Sequence, residues 1–151
     1  MQKIKIILTI LMASLVMSCG APKKFLGSEQ PVYSLYACKH NTVPCTVSWK
    51  KDDWTLKGNY ALSRTSNGHL TLKGKMNLDV SKVSPALQKI DKLWLTFVLF
   101  QGDLIVYEER ISLKGKSNSN IEFTRILETD VEFDASSFLS TSWRVKGLEA
   151  L

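Results

Sequence analysis

From position 32 onward, hydrophobic and polar residues alternate along this chain with a period of two. Trp54, Leu56, Gly58, Tyr60 and Leu62 interleave with Thr55, Lys57, Asn59 and Ala61. Leu70, Leu72, Gly74, Met76 and Leu78 interleave in the same way with Thr71, Lys73, Lys75 and Asn77. Successive side chains on a strand point to opposite faces, so each stretch predicts a half-buried strand with one wet side. Between them, Arg64-Thr65-Ser66-Asn67-Gly68 carries Asn-Gly turn chemistry and predicts an antiparallel hairpin.

Residues 93–100 are apolar on both faces except at Thr96. That predicts a central strand covered on both sides, or one whose outer face meets a partner. Gln101-Gly102-Asp103 then turns the chain into 104–113, a strand that becomes charged at Glu108-Glu109-Arg110. Segments 121–127 and 140–145 are two more strand candidates, and 32–38 and 43–49 are expected to pair with each other. The interval 80–90 breaks the pattern: Val83, Leu87 and Ile90 stand at helical spacing, with Ser84 and Pro85 near a start. A short crossover helix is expected there. Eight candidate strands with short turns read as an all-β, antiparallel β-sandwich of Ig-like kind, a small barrel being the alternative.

The first residues have a different logic. Lys3 and Lys5 precede an apolar run over 6–17, interrupted by Thr9 and Ser14, that ends at Ser18-Cys19. The run is short of the roughly 20 apolar residues of a membrane span and suits a signal-peptide core. Val16-Met17-Ser18-Cys19 resembles the lipobox of bacterial lipoproteins. The resemblance implies that residues 1–18 are removed and that Cys19 is acylated and becomes the mature N-terminus. Gly20 stands where an inner-membrane retention signal has Asp, which implies the outer membrane, facing the periplasm. Residues 19–31, rich in Gly, Pro and Lys, then read as a flexible tether, and 32–151 as a single domain. Leu99-Phe100, Gly102-Asp103, Val106-Tyr107 and Phe123 resemble the strand–turn–strand signature of small Ig-like, FxLYD-type modules of bacterial envelope proteins. That likeness supports the fold class and implies no catalytic residue.

The leader changes the composition that matters. Of three cysteines, a lipidated Cys19 leaves Cys38 and Cys45, an even pair that in an exported protein reads as a disulfide. Free thiols or a metal are the competing readings, but His40 and His69 are the only histidines, and structural zinc needs four ligands. No metal or cofactor is expected. Without Lys3 and Lys5 the net charge falls from +6 to +4. Residues 19–92 hold 12 basic and 5 acidic residues, whereas 93–151 hold 6 and 9. A basic half beside a membrane suits anionic head groups or an acidic partner, or is simply the wet face of the strands. Export and the lack of any nucleic-acid motif exclude nucleic acid as partner.

The chain carries no GxSxG, HExxH, Walker or dinucleotide fingerprint. Asp52-Asp53 and Glu108-Glu109 are adjacent carboxylates, and neighbours on a strand face opposite ways, so neither pair can flank one scissile bond. An enzyme is not expected. The aromatic residues remain: Trp49, Trp94 and Trp143 are candidate binding residues, with Trp54 on the inward register of its strand. Such residues either fill a sandwich core or form a platform for sugar rings or a peptide. The expected function is a non-enzymatic binding, assembly or scaffold module for another envelope component, with small-ligand or glycan binding through exposed tryptophans as the alternative.

Overall fold

The alternation becomes strands nearly residue for residue. The computed structural model describes residues 23–39, 44–51, 53–83, 85, 88–114 and 120–145; the leader, Cys19, His40, Asp52, Ser84 and Leu87 lie outside them. A six-residue helix α1 (Pro31–Tyr36) leads into β1 (Cys38–Lys39), β2 (Cys45–Lys51), β3 (Trp54–Arg64) and β4 (Leu70–Asp79). β5 (Ile90–Gln101), β6 (Leu104–Lys114), β7 (Asn120–Leu127) and β8 (Ala135–Val145) follow. They form two four-stranded sheets, ordered β1-β8-β5-β6 and β2-β3-β4-β7, with every pairing antiparallel. The fold is an all-β sandwich. β3 and β4 make the expected hairpin, with Leu62 opposite Leu72 and Gly68 at φ 82° in the turn.

The core lies between the sheets. Leu56, Tyr60, Leu70, Leu72, Met76 and Leu78 meet Leu93, Leu95, Phe97, Ile111, Leu113 and Phe138. Each large apolar side chain removed from water contributes about 1.5–3 kcal/mol against the entropy of ordering the chain. At the centre Tyr60 stands edge-on to Phe97 and Phe138, with ring centroids 5.9 and 5.1 Å away. Its hydroxyl crosses the core and donates to the Ser136 carbonyl at 3.0 Å, so this buried polar atom is partnered. Burial pushes the Tyr60 phenol up to about 12.

The second half of β5 is covered on both faces, and part of its outer cover comes from residues 25–37. Val98 and Phe100 on the outer side join Ile105, Ala135 and Leu139 in a second apolar cluster under Phe25 and Ala37. The segment expected to be a flexible tether is held from Lys24 onward. The buried Glu108 carboxylate accepts the backbone N–H groups of Lys24, Phe25 and Leu26 at 3.0, 2.6 and 2.7 Å. Further along, Gly27 N–H donates to the Ile105 carbonyl, Ile105 N–H to Ser28, and Gln30 N–H to Asp103. Residues 24–30 are thus a strap along β6.

One local expectation is corrected. Residues 32–38 do not form a strand paired with 43–49. Pro31 supplies a helix start with φ already fixed, Ser34 N–H closes the turn on the Gln30 carbonyl, and the Ser34 hydroxyl bonds Asp103, so 31–36 wind into α1. β1 and β2 consequently belong to different sheets, β1 pairing with β8 and β2 with β3. The short helix expected within 80–90 falls on Ser84 to Leu87, most of which lie outside the described residues. Of the described ones, Val83 N–H bonds the Val80 carbonyl and Gln88 N–H that of Pro85. Val80 and Val83 are buried as separate anchors, and Ile90 opens β5.

The disulfide between Cys38 and Cys45 is present, with Cα atoms 5.6 Å apart. Because its halves sit on β1 and β2, it staples one sheet to the other rather than closing a hairpin.

Candidate binding cleft

The tryptophans separate into two places. On β2 and β3, Trp49 pairs with Leu56 and Lys51 with Trp54 in register, and on β8 Trp143 lies opposite Leu93. All three tryptophans are half-buried and gather where the sheets part at one end of the sandwich. Trp54 and Trp143 stack across the gap, centroids 3.9 Å apart and planes 29° apart. With Leu56, Leu78, Thr141 and Ser142 they line a cleft of about 360 Å³. Small-ligand sites are concave, mostly apolar and edged by a few polar groups, and begin at roughly this volume. The Thr141 hydroxyl is buried with no hydrogen-bond partner among the described residues. Its oxygen is shielded from solvent, so a group in the cleft meets it only when the Thr141 side chain turns.

Trp94 is elsewhere. It stands on the outer face of the β1-β8-β5-β6 sheet, between Ser142 on β8 and Ser112 on β6. Lys92 Nζ lies 5.7 Å from its ring centroid and the Arg110 guanidinium carbon 5.2 Å away. Both cations sit within cation–π range of the ring. A groove of about 590 Å³ runs from there past Thr96, Tyr107 and Ser140 to Lys23 and Lys24 of the strap. The sequence candidates Trp49 and Trp143 therefore share one site with Trp54, and Trp94 belongs to another.

The adjacent carboxylates part as strand geometry requires. Glu109 lies opposite the core residue Phe97 in register and accepts the Tyr107 hydroxyl, while Glu108 lies opposite Val98 and is occupied by the strap. Burial and that carboxylate together push the Tyr107 phenol up. Asp53 and His69 are exposed. Among the described residues no three His, Cys, Asp or Glu side chains cluster as a metal site would require. Thr141 and Glu108 were missed as functional residues. Thr141 was within reach of the alternation, being two residues before Trp143 on the same face; nothing local marks Glu108.

No protein-family description matches this chain, and no curated protein or solved structure matches it either.

Proposed function

We propose that this chain is a bacterial envelope lipoprotein, anchored to the outer membrane through an acylated Cys19 and facing the periplasm. Its sandwich acts as a non-enzymatic binding and assembly module for another envelope component. The lipobox residues Val16 to Cys19 and the FxLYD-like stretch ending at Phe123 support the envelope setting. The binding half rests on one observation, the cleft in which Trp49, Trp54 and Trp143 converge. Aromatic side chains offer large contact area at low entropic cost, which is why they dominate binding hot spots.

Within that reading the cleft also suits a glycan, and the converging indoles are what favour it. Sugar rings stack on indole faces, and a ring hydroxyl would partner the Thr141 oxygen once that side chain turns toward the cleft. Titrating envelope glycan fragments against tryptophan fluorescence, alongside crosslinking of the membrane-anchored protein, distinguishes the occupants. Trp143→Ala is expected to weaken either interaction at least tenfold, the loss of about 1.4 kcal/mol typical of a hot-spot aromatic. Thr141→Val is expected to weaken glycan binding alone while leaving the fold as stable or slightly more so. If Trp143→Ala binds glycan and protein partner as tightly as the wild type, the cleft is not the site.

A further inference from the structure

We infer that the open half of the outer face around Trp94 is the surface by which the domain lies on the anionic leaflet that holds its lipid. The inference rests on the anchored reading above and adds to it a face, an orientation and a lipid chemistry. Four residue steps separate Cys19 from Lys23, a reach of at most about 14 Å for a fully extended chain. From Lys24 the strap is fixed to the sheet by Glu108 and by β6. An acylated Cys19 therefore brings the bilayer to the place where the strap begins. That place is the groove containing Lys23, Lys24, Trp94 and Arg110.

The face found there has the composition of a membrane-interface contact. Register aligns Arg144, Lys92 and Lys114 in one row across β8, β5 and β6. The next row is Ser142, Trp94 and Ser112, and the third is Ser140, Thr96 and Arg110. Arg144 is engaged by Asp91 in a two-pronged pair at 2.7–3.2 Å, and Glu108 is spent on the strap. Lys92 and Arg110 flank the half-buried indole, and Lys23 and Lys24 line the same groove beside Tyr107 and Phe25. Lys114 stands in the row next to Trp94, and the groove's other carboxylate, Glu109, accepts the Tyr107 hydroxyl. Indole rings prefer the level of lipid head groups, and basic side chains near an anionic leaflet contribute about 1 kcal/mol each. The other outer face, on β2-β3-β4-β7, also carries lysines, but it points the opposite way, away from the side of the sandwich on which the strap begins.

The test uses the acylated protein purified with its lipid and reconstituted into vesicles bearing bromine near the head groups. In phosphatidylglycerol vesicles Trp94 is expected to be quenched, and Trp94→Phe to remove most of the quenching. Pure phosphatidylcholine should quench weakly. Lys92→Gln with Arg110→Gln, both on the sheet surface, should shift the seated-to-lifted equilibrium about thirtyfold toward lifted without moving the melting temperature. A protein that stays vesicle-bound with Trp94 unquenched overturns this face and leaves the anchor standing. Equal quenching in both lipids overturns the head-group recognition, as does displacement of the vesicle contact by a soluble glycan or peptide that occupies Trp94. Intact mass without an acyl chain on Cys19 overturns the anchored reading and this inference together.

Discussion

At the scale of single residues, Tyr60 shows how burial becomes a pH dependence. Its phenol, pushed up to about 12 in the folded state from 10.0, favours folding only while neutral. That contribution is complete below pH 10 and is lost as pH rises from 10 to 12, on the order of 2–3 kcal/mol. Urea midpoints measured across that window should fall in wild type and change less in Tyr60→Phe. A second residue-scale prediction concerns Gly74. A Cβ there would lie 2.4 Å from Phe123 Cζ and 3.2 Å from the Asn59 carbonyl, so the ring must move. Gly74→Ala should cost about 1–3 kcal/mol, and less in a Phe123→Leu background, as a double-mutant cycle would register. The sequence put Gly74 on the inward face correctly. It could not say that an aromatic ring three strands further along the chain would lie on it.

At the scale of elements, the strap is held along β6 and the disulfide joins one sheet to the other. Glu108→Gln keeps one acceptor but loses the charge that three N–H donors share, which should cost about 1–3 kcal/mol. Hydrogen exchange should accelerate at Lys24 to Leu26 far more than in β3 or β5; equal protection in both variants would mean the carboxylate does not hold the strap. Reduction of Cys38–Cys45 opens a loop with a sequence separation of 7 and should lower stability by roughly 2.5 kcal/mol, read as a shift of the denaturation midpoint with reductant. The pairing of these cysteines was legible from their number and setting. Their placement on opposite sheets was not, because 31–36, though rich in strand-forming Val and Tyr, wound into a helix fixed by Pro31 and Ser34. That helix leaves Val32, Leu35 and Tyr36 exposed.

At the scale of the molecule, charge and aromatic surface sort by face. Of the basic excess of residues 19–92, Lys23, Lys24 and Lys92 belong to the Trp94 face. Another part lies on the outer face of β2-β3-β4-β7, where Lys57, Lys73 and Lys75 alternate with core residues and Lys75 meets Glu122 at 3.5 Å. Exposed pairs of this kind contribute little to stability, so the face is wet rather than structural. The sequence by itself determined the strands, the β3–β4 hairpin and the cysteine pair. A period of two, an Asn-Gly turn and an even cysteine count are local signals, and burial rewards each without reference to the rest of the chain. Only the tertiary structure decided that Trp49, Trp54 and Trp143 share a cleft while Trp94 does not, and that Glu108 receives residues 24–26. Those meetings join positions more than 80 apart, and they follow from which sheet each strand enters, a choice no local pattern encodes.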